Sequence, residues 1–77
     1  MITGAQIRAA RGLLNWTASV AAERAGTTRH TVQRLERSDG IPPGRVQTLI
    51  DLKRAFEEAG VEFTGTPEEP GLILRRR

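Results

Sequence analysis

The chain has 77 residues, 38% of them hydrophobic, which is one domain with a thin apolar core. It has no cysteine and one histidine, which excludes disulfide crosslinks, argues against a metal and leaves self-association as the expected supplement to the core. The net charge of +3 rests on eleven arginines and one lysine; arginine suits bidentate pairing with phosphate and guanine edges, GC-rich codon usage is the alternative source of the bias, and position must decide.

Thr3 followed by Gln6 is a capping box, and Ile2 with Ile7 stands at the positions of a hydrophobic staple. Both signals start a first helix at Gly4, with Ile7, Ala10 and Leu14 as its buried stripe and Asn15 interrupting it. Trp16 reads as a core plug at the junction with the next helix. Thr17 is an N-cap for a second helix, Ala18 to Ala25, whose inner face is Ala21, Ala22 and Ala25. Gly26 ends that helix as a residue able to take positive φ. Thr28 caps a third helix that runs to about Arg37, in which only Val32 and Leu35 are apolar.

Ser38-Asp39-Gly40 and Pro42-Pro43-Gly44 form a loop no helix can cross. A fourth helix is expected from about Arg45 to Ala59, stopped by Gly60. Its apolar residues (Val46, Leu49, Ile50, Leu52, Ala55, Phe56, Ala59) span an arc of roughly 220°, wider than the usual stripe of about 100°. Val61 to Thr64 alternates as a half-buried strand does, Leu72 to Leu74 reads as another, and the turn-rich segment between them suggests a hairpin. The tail Arg75-Arg76-Arg77 is expected to fray. The expected organisation is residues 1–60 as a helical domain and residues 61–77 as a hairpin with a basic tail.

The second and third helices fit a helix-turn-helix. Ala22 is small where the helices cross, Gly26 supplies the turn, and Val32 and Leu35 are buried three residues apart. The alternative is an ordinary antiparallel helical hairpin. Arg24, Arg29, His30, Arg34 and Arg37 gather four arginines and the only histidine within fourteen residues, with Glu36 as the sole acid. Positions 29, 30, 33, 34 and 37 lie opposite Val32 and Leu35. Such a face suits insertion into a DNA major groove, and the competing reading is a solvated charged surface.

The stretch Ala22-Glu23-Arg24-Ala25-Gly26, followed by Thr28-Arg29 and Leu35-Glu36-Arg37, resembles the XRE-type family of small regulators related to phage repressors and Cro. The likeness covers about residues 4–56, and the ending Gly60 to Phe63 with Gly71 to Arg75 looks like a short single-domain subgroup. The resemblance implies a mainly α, four-helix repressor-like fold with a helix-turn-helix, here followed by a β-hairpin. It implies base contacts by Arg29, His30, Gln33 and Arg34 from a recognition helix of about 28–37. Thr17 and Thr28 fall at helix starts that contact phosphate in the family, and Arg24 and Arg37 are assigned to phosphate with them. Arg11 and Glu36 match a structural ion pair between the first and third helices. The family usually has Gln where this chain has Ala18, a large aliphatic residue in place of Ala21, and often Val in place of Thr27. Val20 is expected to compensate for Ala21 through a small rotation of the second helix.

The functional expectation is therefore a sequence-specific regulator of duplex DNA. The alternative is an antitoxin or adaptor that binds a protein partner through the face of helix 45–59. No thiol, tyrosine, phosphate-cradling glycine loop or paired carboxylates suggest an enzyme, and no cofactor or metal is expected. No apolar run approaches a bilayer span and no secretory pattern opens the chain, so a cytoplasmic location is expected. A homodimer is expected through the C-terminal half, with the hairpins pairing edge to edge and Val61, Phe63, Leu72 and Leu74 at the interface. The competing arrangement folds the hairpin back on its own fourth helix.

Overall fold

A computed structural model describes residues 1–75. Four helices precede a two-stranded hairpin: α1 (Gly4–Leu14), α2 (Ala18–Ala25), α3 (Arg29–Glu36), α4 (Val46–Glu58), β1 (Val61–Gly65) and β2 (Pro70–Leu74). The expected basic tail at Arg76 and Arg77 lies outside the described residues.

Each of the first three helices begins at a threonine whose side chain takes an orphan backbone N–H, as helix starts require. Thr3 Oγ1 accepts from Gln6 N at 3.1 Å while Gln6 Oε1 accepts from Thr3 N at 2.9 Å, completing a reciprocal capping box. Thr17 accepts from Val20 N at 3.1 Å, and Thr28 from Thr31 N at 3.2 Å. α4 begins at Arg45, which makes no such side-chain bond. Left-handed backbone at Asn15 (φ 57°) and Gly26 (φ 73°) ends α1 and α2 and reverses the chain within a few residues.

One core joins all six elements. Ile7, Ala10, Ala21, Ala22, Val32, Leu35, Leu49, Leu52, Phe56 and Val61 are buried together, with Phe63, Leu72 and Leu74 packed against them. The hairpin residues of 61–77 therefore share a core with 1–60 rather than hanging from it. β1 pairs antiparallel with β2, Val61 opposite Leu74 and Phe63 opposite Leu72. β1 packs on α4 and β2 on α1. The Gln6 amide donates to Gly71 O at 3.0 Å, so the residue that caps α1 also ties it to the hairpin.

Three sequence-based expectations take a different form. Val20 is 37% exposed while Ala21 is fully buried, so Val20 does not replace the aliphatic side chain that Ala21 lacks. The fold instead accepts a small residue there and stacks Trp16 on Phe56 (ring centroids 5.6 Å apart) and Phe56 on Phe63 (6.1 Å). The wide apolar arc of α4 is mostly covered within the chain: Leu49, Leu52, Ala55 and Phe56 are buried, and only Val46 (57%) and Ile50 (41%) are left exposed. Finally, Val61, Phe63, Leu72 and Leu74 turn toward their own α1 and α4. Val61 is buried there and Phe63, Leu72 and Leu74 are partly buried, because alternation gives a hairpin one apolar face, and that face meets the nearest apolar surface.

Candidate nucleic-acid interface

The α2–α3 junction is set by backbone bonds. The Thr27 N–H donates to Ala22 O at 2.9 Å across Gly26, a closure that needs the positive φ of that glycine. Val32 (0% exposed) and Leu35 (2%) bury one side of α3. Arg29, His30, Gln33, Arg34 and Arg37 are all exposed, so the remaining side is a solvent-facing basic surface. Among the described residues the ion pairs are Arg11–Glu36 and Arg75–Glu62; no carboxylate lies within 4.0 Å of Arg24, Arg29, Arg34 or Arg37. A one-signed surface without internal partners is one that attracts polyanions.

α3 is held firmly behind that surface. Glu36 is 7% exposed and turned inward. Arg11 Nη2 donates to its Oε2 at 3.0 Å, Arg11 Nε donates to its Oε1, and Arg8 Nη1 donates to its backbone carbonyl. Arg11 Nη1 also donates to Trp16 O at 3.0 Å, so one guanidinium spans α1, the α1–α2 turn and α3. The carboxylate contact raises the Arg11 pKa above its ordinary value, chiefly by hydrogen bonding. Arg8 at the last carbonyls of α3 also opposes the negative end of the helix dipole.

The helix starts offer further polar groups. Thr17 and Thr28 are exposed caps. The Thr28 hydroxyl donates to the Thr31 hydroxyl at 2.9 Å, which leaves the Thr31 O–H to donate outward. Among the described residues Thr17 has no such partner beyond the amide it caps. The Arg24 guanidinium carbon lies 5.2 Å from the centre of the Trp16 ring, a cation–π contact that orients a side chain otherwise free to roam.

The structure adds residues that the linear pattern did not single out. A polar groove of about 390 Å³ separates α3 from the start of α4, lined by Thr31, Arg34, Arg45 and Thr48. Arg34 thus stands on the α4 side of α3, with Arg45 across from it. The sequence signal was Gly44-Arg45 just before the fourth helix, but nothing local told that this point lies beside Arg34. Arg8 was missed as well, since its partner is a backbone carbonyl, which a sequence does not mark. Among the described residues no helix is long and apolar enough to cross a membrane. No family model matches the chain, and no curated protein matches it either.

Proposed function

We propose that the protein binds duplex DNA through a helix-turn-helix formed by α2 and α3, as a sequence-specific regulator of the XRE type. The observation that carries this reading is the exposed, unneutralised face of α3, built from Arg29, His30, Gln33, Arg34 and Arg37. An α-helix about 10–12 Å wide fits a major groove about 12 Å wide. Arg29 and Arg34 offer bidentate donors to guanine, Gln33 offers the paired donor and acceptor that adenine presents, and His30 adds a donor near the start of α3. Thr17, Arg24, Thr28 and Arg37 flank this face and serve phosphates, which position a protein without reading sequence. Arg45 and Thr48 extend the same basic surface.

The adaptor reading finds little support in α4, where Val46 and Ile50 are the apolar side chains left exposed. Two such residues one turn apart are a small surface and carry no separate reading. The test is a selection of bound sequences from random duplexes, repeated with Gln33→Ala. The proposal expects an enriched motif and its relaxation at one position in the variant. Retention of random duplex with no enriched motif would reduce the reading to nonspecific binding, and no retention would remove it.

A further inference from the structure

The exposed face of α3 carries hydrogen-bond donors, with neither an acid nor an apolar side chain among them. Arg29, His30, Gln33 and Arg34 stand exposed on it, while Val32, Leu35 and Glu36 are the residues α3 buries. The one acid of α3 accepts from Arg11 inside the protein, so none is left on this helix to accept from a base. Two threonine methyls belong to its margins: Thr28 is the N-cap, and Thr31 lines the groove beside α4. In the major groove cytosine presents a donor and thymine a methyl group, whereas guanine presents the N7 and O6 acceptors and adenine presents N7 beside the N6 donor. Cytosine is matched by a carboxylate and thymine by an apolar contact. The face of α3 offers neither, and each of its four side chains matches a purine edge.

We propose that the protein reads its site through purine edges, without contact to thymine methyls or cytosine amino groups. Arg29 and Arg34 each select a G·C pair, Gln33 selects an A·T pair, and His30 accepts either purine. This rests on the DNA binding proposed for α2 and α3. Successive helical residues turn by about 100°, so Arg29 and Gln33 form one row along α3, and His30 and Arg34 form a second beside it. In each row four residues at a rise of about 1.5 Å span about 6 Å, close to two base-pair steps of about 3.4 Å. The first row therefore sets a guanine and an adenine about two steps apart. Arg29 donates to N7 and O6 of the guanine, and the Gln33 amide donates to N7 and accepts from N6 of the adenine. The second row sets a purine and a guanine at the same separation. An imidazole N–H donates to N7, which both purines carry, so His30 does not distinguish them, while Arg34 fixes the guanine. The rows keep their spacing because Val32, Leu35 and the Arg11–Glu36 pair hold α3 from behind.

Base analogues test the purine reading on a duplex that the full chain has enriched from random sequences. Replacing a core guanine with 7-deazaguanine removes the N7 acceptor and keeps the base pair, and should weaken binding about tenfold. Replacing core thymines with uracil removes only the methyl group and should leave affinity unchanged. Arg29→Ala should abolish the 7-deazaguanine effect at one guanine, and Arg34→Ala at another. Fluorescence anisotropy at one fixed salt concentration reads each Kd. An enriched core that loses affinity with uracil, or that tolerates 7-deazaguanine at every guanine, overturns the purine reading and leaves a sequence-specific regulator standing. So does a 7-deazaguanine effect that survives both arginine substitutions at every guanine. A pool with no enriched motif removes the regulator itself, and the purine reading with it.

Discussion

The carboxylate of Glu36 lies inside the protein with Arg11 bound to both of its oxygens. The Glu36 side chain is 9% exposed and that of Arg11 25%, so the acid depends on this one guanidinium for its charge compensation. Removing the arginine leaves a desolvated anion, whereas removing both leaves only a gap. Arg11→Ala should cost about 2 kcal/mol, less than a fully buried pair because water reaches the arginine. Arg11→Ala with Glu36→Ala should cost less than the sum of the two, as read by urea denaturation of all four forms. Additive effects would separate the pair from stability.

Gln6 distinguishes local from tertiary preference. Glu is as good as Gln at the third position of a capping box, so Gln6→Glu should be neutral on local grounds. In the fold its amide also donates to Gly71 O at 3.0 Å, with Thr64 O at 3.4 Å. A carboxylate there would face two carbonyl oxygens with no hydrogen to give. Gln6→Glu should lower stability by about 1–2 kcal/mol, with amide exchange rising first in the hairpin. A thermal melt matching wild type would show that the tie carries no weight.

Gly4 makes a similar contrast. Alanine is the better helix former by about 1 kcal/mol. A Cβ at Gly4 would collide with Ser38 O and stand 2.7 Å from Leu35 O, both backbone atoms that cannot swing aside. The Gly4 N–H also donates to Gly40 O at 3.1 Å, fixing the loop that follows α3. Gly4→Ala should therefore destabilise the fold despite its propensity gain, by a margin visible in a calorimetric melting temperature. An unchanged or raised temperature would mean the approach of α1 to α3 is looser than described.

Phe63 should act on stability and not on assembly. Its ring packs 6.1 Å from that of Phe56, on the inner face of the hairpin. Phe63→Ala should cost about 2–3 kcal/mol, toward the low end for an aromatic truncation because the ring is only half-buried. At temperatures where the variant is folded, its self-association should match that of the parent chain. Loss of association in a fully folded Phe63→Ala would place the ring at an interface.

On DNA, two groups of residues should separate. Arg29→Ala, Gln33→Ala and Arg34→Ala should each relax preference at particular base positions, by about 1–3 kcal/mol. Arg24→Ala and Thr17→Ala should weaken all sequences alike, and Arg24→Ala should reduce the salt slope by about one unit. Trp16→Leu, which removes the ring beneath Arg24, should reproduce part of the Arg24→Ala effect. Competition binding against the selected site and a scrambled one reads all of these. Uniform loss for every substitution would leave α3 as a nonspecific polyanion contact.

Local signals determined most of the secondary structure because its causes are local. Thr3, Thr17 and Thr28 start helices through bonds to residues three positions on, and Asn15, Gly26 and Gly60 stop them through their own backbone angles. The same short-range periodicity put Val32 and Leu35 inside and Arg29, His30, Gln33, Arg34 and Arg37 outside, so the basic face was legible before any packing was known. Its partners were not. That Arg34 faces Arg45, that Arg8 caps the last turn of α3, that Gln6 reaches Gly71 and that Gly4 must lack a side chain each join segments distant in the chain. Apolar patterning marks which side chains of α4 and the hairpin seek burial but not which surface supplies it. Packing chose the chain's own α1 and α4 for the side chains of Val61, Phe63, Leu72 and Leu74. It left the outer backbone edges of β1 and β2 without a strand partner, because a strand has two hydrogen-bonding edges as well as two faces, and a hairpin satisfies one edge of each strand.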